Sequence, residues 1–234
     1  MSPFSDIMET PMTQVNPTRA LGAGLIALAL AFNLPYARLA ATFDYPGILR
    51  QPPETILAAL AAGGPPLIAT WYAFAACALI FAPLAMAQAL GQGRAQHAPA
   101  LASAAAIAGA FAGVLQAMGL LRWVLVLPQL ATLPDATASF TALHAFGGAV
   151  IGEHLGQLAT ACHVGLMAAI HRREGRRALA WTGTATAALI TTGSFETPAL
   201  ALGLPGDPFA LTAIGGYLAL TLWLILAGLS LLRR

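Results

Sequence analysis

The chain has 234 residues, of which 58% are hydrophobic and only 9% charged, where a soluble globular domain carries roughly a quarter charged residues. The mean hydropathy of +0.74, gathered in long apolar blocks, excludes a water-facing domain and predicts transmembrane helices. All 11 basic residues are Arg, and they lie in small clusters that leave a formal charge of +2, which excludes the basic face of a nucleic-acid binder.

Residues 1–18 are polar, contain Pro3, Pro11 and Pro17, and read as a disordered tail ahead of a single membrane domain over 19–234. The block Ala20 to Tyr36 reads as a retained first span, because its leading region carries Asp6 and Glu9 where a secretory signal needs positive charge. Between Arg38 and Gly64 the chain is amphipathic. Pro53 opens a short helix with Ile56, Leu57 and Leu60 on its apolar side, and Gly63-Gly64 closes it. That helix is too short to span, so it lies on the membrane surface or caps the bundle.

A second span runs from Pro66 to Leu90, followed by a turn with Arg94 and His97. The third, Pro99 to Leu127, exceeds the roughly 20 residues a bilayer core requires, so it must tilt, project or bury Arg122 in protein. A fourth runs from Ser139 to Ile170, a fifth from Leu179 to Glu196, and a sixth from Phe209 to Leu232. The expectation is an all-α polytopic bundle of about six spans. Cys77 and Cys162 both lie in apolar blocks and read as small hydrophobes rather than a disulfide.

Arginine bias sets the orientation. A cytoplasmic N-terminus places Arg19, Arg94, Arg172, Arg173, Arg176, Arg177, Arg233 and Arg234 inside and only Arg38, Arg50 and Arg122 outside, eight against three. Both termini are therefore expected in the cytoplasm.

Ionisable residues within spans are costly and face the bundle interior or a water-filled cavity. Counting about 1.5 Å per residue from the cytoplasmic ends brings Arg122, Glu153, His154 and Glu196 to one layer near the outer boundary, with Trp71 and Tyr72 one to two turns deep. That layer is the candidate site. Beside this stands a structural reading for each residue. Trp71, Trp123 and Tyr72 can be interfacial anchors, Arg122 can pair with Glu153 or Glu196 to join helices, and His163 can be a satisfied core histidine.

A haem held by two histidines of one subunit is disfavoured, because His144, His154 and His163 share the fourth helix and His97 and His171 fall in turns. Glu153-His154 lacks the i, i+4 spacing of a helical metal site. A metal would need His144 or His154 with Glu196, Asp44 or another loop ligand. Gly148, Gly152 and Gly156 repeat at four-residue intervals and predict close packing of the fourth helix on a neighbour.

Phe43-Asp44-Tyr45-Pro46 with Ile48-Leu49-Arg50 and Pro52, then Thr70-Trp71-Tyr72, Gly119-Leu120-Leu121-Arg122-Trp123, His144, Gly152-Glu153-His154-Leu155-Gly156 and Glu196 together resemble the bacterial multi-pass proteins grouped as domain of unknown function 4386. The resemblance implies a bacterial cytoplasmic-membrane protein of six or so helices, with no mechanism attached. It also implies that Asp44, Arg50, Trp71, Tyr72, Arg122, His144, Glu153 and His154 form one pattern, Asp44 and Arg50 entering on that ground alone.

Three functions fit these residues. The first is an extracytoplasm-facing polar pocket, lined by Arg122, Glu153, His154 and Glu196 and closed by the Asp44 segment, that binds or senses a small amphipathic molecule. The second is an intramembrane lipid hydrolase or transferase with Glu153 as acid or base and His144 or His154 as metal ligand or proton shuttle. The third is an accessory or assembly subunit whose glycine ridge is a docking surface. The expected partners are the lipid bilayer and a small amphipathic ligand, with no nucleic acid. The sequence leaves the oligomeric state open, and it holds no inverted repeat that points to transport.

Overall fold

The computed structural model describes residues 16–130 and 133–234. The expected tail falls outside the described residues except for its end. There Asn16 caps the first helix by accepting hydrogen bonds from the Thr18 and Arg19 amides, and Pro17 occupies the first helical position.

The described residues build six long helical rods. The first, α1, is Pro17–Phe43 and ends where Asp44 turns left-handed at φ 51°. After a single 3₁₀ turn at Gly47–Arg50, α2 covers Pro53–Leu90 and is broken at Gly64, whose φ of 54° and ψ of −154° are not helical. Only glycine adopts that conformation without strain, and Pro65 and Pro66 then restart the helix at positions where a missing N–H costs nothing. α3 is Pro99–Leu130. α4 runs through the joined segments Ala136–Leu143, His144–Leu155 and Gly156–Arg173, α5 is Arg177–Ser194, and α6 is Asp207–Leu232.

Each rod packs on the next, and α6 returns to α1, so the six form a closed ring in chain order. Short connections make neighbours antiparallel. α1, α2, α3 and α6 are long and apolar enough to cross a membrane. α4 and α5 are less apolar because they carry the histidines, Glu153 and a series of threonines, yet they complete the same helical membrane bundle.

Two hydrophobic cores lie at different heights. One, built on Leu25, Phe81, Val164, Met167 and Trp223, fills the half nearer the termini. The other, built on Phe43, Ile48, Leu49, Ile56, Leu60, Trp71 and Trp123, lies at the end that carries the Asp44 segment. Burial of Ile48, Leu49, Ile56 and Leu60 settles how the amphipathic segment sits: it caps the bundle. Burying four such side chains stabilises the cap by several kcal/mol, at about 1.5–3 kcal/mol each.

At the opposite end a buried latch joins two turns. Arg94, 4% exposed, grips both carboxylate oxygens of Glu174 at 2.6 and 3.0 Å, and it also donates to the Gln88 carbonyl. Arg176 approaches the same carboxylate at 3.2 Å. Burial alone would raise the Glu174 carboxyl, but the Arg94 hydrogen bonds and charge hold it below the usual carboxylate range.

Candidate functional site

At the capped end, α3 and α4 leave α-geometry at the same level. α3 winds as a π-helix over Arg122–Val126 and α4 over His144–Leu155, 12 residues long. Such segments are rare and concentrate at functional positions. One turn before the α3 segment and within the α4 segment, the two backbones nearly touch. A Cβ at Gly119 would lie 2.6 Å from the Gly152 Cα, so neither position admits a side chain without the helices moving apart. The predicted glycine ridge packs inside the chain: Gly156 meets Gln116, Gly152 meets Gly119, and Gly148 leaves the space that the Arg122 guanidinium fills.

The π-winding decides what faces inward. In an α-helix at about 100° per residue, Gly148 and Gln157 would point to opposite sides. A turn closed at i+5 rotates each residue through a smaller angle, and Gly148, Gly152, Glu153 and Gln157 all line one cavity.

Arg122, 6% exposed, is buried in protein rather than projecting. It donates to the Gly119 carbonyl, its guanidinium carbon lies 4.9 Å from the Trp123 ring centre, and Nη2 stands 3.5 Å from Nδ1 of His144. His144 Nε2 donates to the Leu49 carbonyl at 3.0 Å. That leaves Nδ1 as the acceptor turned to Arg122.

The ion pairs differ from the expectation that Arg122 would hold Glu153 or Glu196. Arg50, from the 3₁₀ turn, takes both: Nη2 meets Glu153 at 2.6 Å and Nε meets Glu196 at 2.9 Å. Arg50 reaches them because the cap seats the 3₁₀ turn over α4 and the short helix Glu196–Ala201. Partial burial works against its charge, yet the Glu153 and Glu196 carboxylates outweigh that and hold the guanidinium above its ordinary range.

Below this cluster the helices enclose a cavity of about 370 Å³, within the range of small-molecule sites. Its upper wall carries Arg50, Arg122, Glu153 and Glu196, with Gln157 and Thr160 further down α4. Its deeper wall is mostly apolar, with Ala29, Phe32, Ala78, Phe81, Leu220 and Leu224, and its polar members Asn33 and Thr221 are hydrogen-bonded to each other. Trp71 and Trp123 are stacked at the side, ring centres 4.8 Å apart and planes 10° apart, with Phe43 edge-on to both.

Four polar atoms on cavity-lining residues are buried with no hydrogen-bond partner among the described residues: Trp71 Nε1, Arg122 Nε, Glu153 Oε1 and Gln157 Oε1. Two are donors and two are acceptors. Leaving such groups unpaired costs roughly 1–3 kcal/mol each, so four of them around one space demand a reason.

A family model described as Domain of unknown function (DUF4386) matches residues 20–228. The chain belongs to this family. No curated protein and no solved structure matches it.

In this member of DUF4386, the structure gathers Arg50, Trp71, Arg122, Glu153 and Glu196 around the cavity. The other candidates point elsewhere. Tyr72 is 57% exposed on the outer side of α2, as the 100° step from Trp71 requires. Asp44 is exposed beside Gly47 and lies off the cavity wall. His154 turns to α5 and donates to the Ser194 carbonyl at 2.7 Å, while His144 stands behind Arg122. His163 is fully buried and donates to the Ala105 carbonyl at 2.9 Å, as a core histidine does.

The candidate metal ligands His144, His154 and Glu196 thus have separate partners. Among the described residues no three His, Cys, Asp or Glu side chains gather to hold an ion. Two contributors escaped the sequence reading. Gln157 was visible as a polar residue within a span, one turn below Glu153. The Trp71–Trp123 stack had no local signal, since it joins residues 52 positions apart.

Proposed function

We propose that this protein binds a small amphipathic molecule in the cavity between its helices. The observation that carries the proposal is the set of four unpaired buried polar atoms, on Trp71, Arg122, Glu153 and Gln157, around one space whose floor is mostly apolar. A head group with acceptors and a donor, attached to a short apolar tail, complements that division. The rim supports the same reading. The cavity wall is exposed at Arg50 and Asp207 on the polar end, and at Leu218 on the lipid-facing side of α6, so a molecule partitioned at the membrane interface meets both surfaces.

The arginine-rich end bears Arg94, Arg172, Arg173, Arg176 and Arg177. By the positive-inside rule it faces the cytoplasm of a bacterial cell, and the cavity opens to the other side of the cytoplasmic membrane. A hydrolase reading is less well supported, because His144 sits between Leu49 and Arg122 and His154 turns to Ser194 on α5, so among the described residues neither is hydrogen-bonded to Glu153.

Two measurements test this. Single cysteines at the exposed positions Leu204 and Ala95, in a protein with Cys77 and Cys162 replaced by Ala, report orientation. A membrane-impermeant maleimide added to whole cells should label the Leu204 position and spare the Ala95 position. For binding, amphiphiles brominated next to the head group should quench the Trp71–Trp123 pair in a Trp181→Phe background, which removes the tryptophan 66% exposed on the surface. Saturable quenching supports the proposal, and purely linear, partition-type quenching overturns it.

A further inference from the structure

We infer that the cavity selects an anionic head group, received by the N–H groups of Arg122 and Trp71, with a neighbouring donor on the ligand given to Glu153. This rests on the amphiphile-binding reading and specifies its chemistry.

The charges facing the cavity come from five parts of the fold. The cap supplies Arg50, α3 supplies Arg122, α4 supplies Glu153, the short helix Glu196–Ala201 supplies Glu196, and the start of α6 supplies Asp207. Counted together they favour a cation, but the pairing reverses that. Glu153 and Glu196 both close on Arg50 within 2.9 Å, and Asp207 is exposed at the rim. Arg122, 6% exposed, has no carboxylate within ion-pair distance among the described residues. A buried cation that no carboxylate touches is costly, and a ligand anion supplies the direct partner it lacks.

The orphaned atoms specify more. Arg122 gives one N–H of each terminal nitrogen to Gly119 and His144, and its Nε–H is buried without a partner among the described residues. Trp71, fully buried, presents Nε1–H with no acceptor. The two are linked through Trp123, which stacks on Trp71 and lies against the Arg122 guanidinium. Both residues line the same cavity, so an oxyacid group seated there meets an unpaired N–H on either side of Trp123. Glu153 Oε1, unpaired while its other oxygen holds Arg50, then accepts from an N–H or O–H beside the acid.

Size bounds the rest. At roughly 30 Å³ per atom-sized volume, about 370 Å³ admits about a dozen non-hydrogen atoms. From Trp71 to Phe81, ten residues of α2 supply about 15 Å of wall below the head. An acylated amino acid of medium chain length has this form: carboxylate, adjacent amide N–H, and a short tail.

The test uses a matched series in the Trp181→Phe protein: N-(2-bromohexanoyl)glycine, its uncharged glycinamide, and the cationic N-(2-bromohexanoyl)ethylenediamine, read by tryptophan quenching. The glycine compound should bind about tenfold or more tighter than the amide, as a charge-assisted hydrogen bond implies. Arg122→Gln should abolish that preference while moving the amide by less than about threefold. Trp71→Phe, which keeps the stack and removes the N–H, should weaken the glycine compound severalfold and serves where Arg122→Gln fails to fold. Equal binding of anion and amide, unchanged in both variants, overturns the anion assignment and leaves amphiphile binding standing. Preference for the cation overturns the assignment by placing the ligand on the carboxylates. No saturable quenching by any of the three overturns both.

Discussion

Arg50 and Glu153 meet at 2.6 Å across 103 positions of sequence, and this contact ties the cap to α4. Glu196 on the same guanidinium makes the cluster one cation shared by two acids. Arg50→Gln therefore leaves two neighbouring carboxylates without their counterion and should lower the unfolding midpoint. Adding Glu153→Gln to that variant should recover part of the loss. The double-mutant cycle is expected to give a coupling of about 0.5–3 kcal/mol. Additive effects of the two substitutions would show that the pair does not hold the cap.

The contact of Gly119 with Gly152 makes a steric prediction. A methyl group at Gly119 would stand 2.6 Å from the opposing Cα, which is backbone and cannot rotate away. Gly119→Ala should cost about 1–3 kcal/mol or more, as forced overpacking does. Gly215→Ala, where a Cβ meets nothing within 4 Å, should be nearly neutral. Thermal melts of the two variants in one detergent give the comparison.

Those two glycines also show what a sequence can reveal here. The spacing of Gly152 with Gly148 and Gly156 announced a close helix contact, while its partner Gly119 carried no such signal, and the apolar blocks announced the rods, because hydrocarbon imposes both rules locally. The cost of charge in a span likewise brought Arg122, Glu153 and Glu196 to one height. Which acid meets which base was not legible. Arg50 lies in a loop, and only tertiary packing of Ile48 and Leu49 brings it over α4. The π-winding of His144–Leu155 was equally hidden, and it turns Gln157 onto the same wall as Gly148. An angular estimate made for an α-helix fails over that stretch.

At the other end, the Arg94–Glu174 latch carries a pH dependence. Glu174 titrates below its ordinary value of 4.5, so the folded state binds its proton less readily than the unfolded chain does. The stabilisation is complete above about pH 4.5 and is lost as pH falls through the depressed folded value. Midpoints measured from pH 6 down to pH 3 should fall more steeply for the native protein than for Glu174→Gln. Arg94→Ala should cost about 1–3 kcal/mol at neutral pH, since Glu174 and the Gln88 carbonyl lose a buried charged donor. Parallel pH curves for native protein and Glu174→Gln would remove the latch from the account.

Trp71 and Tyr72 are neighbours with opposite fates, and substituting each in turn separates packing from membrane exposure. Trp71 is fully buried, stacked on Trp123 and edge-on to Phe43 and Tyr45. Trp71→Ala empties the centre of the capped-end core and should cost about 3–5 kcal/mol. Tyr72 is 57% exposed and points away from the ring interior, so Tyr72→Leu keeps an apolar surface toward lipid and should change stability by less than about 0.5 kcal/mol. The same pair discriminates at the level of binding. Trp71→Ala should remove the saturable quenching by a brominated amphiphile, and Tyr72→Leu should leave its midpoint in place. If Tyr72→Leu weakened binding as much as Trp71→Ala, the ligand would be seated on the outer face of α2 and the inner cavity would lose its role.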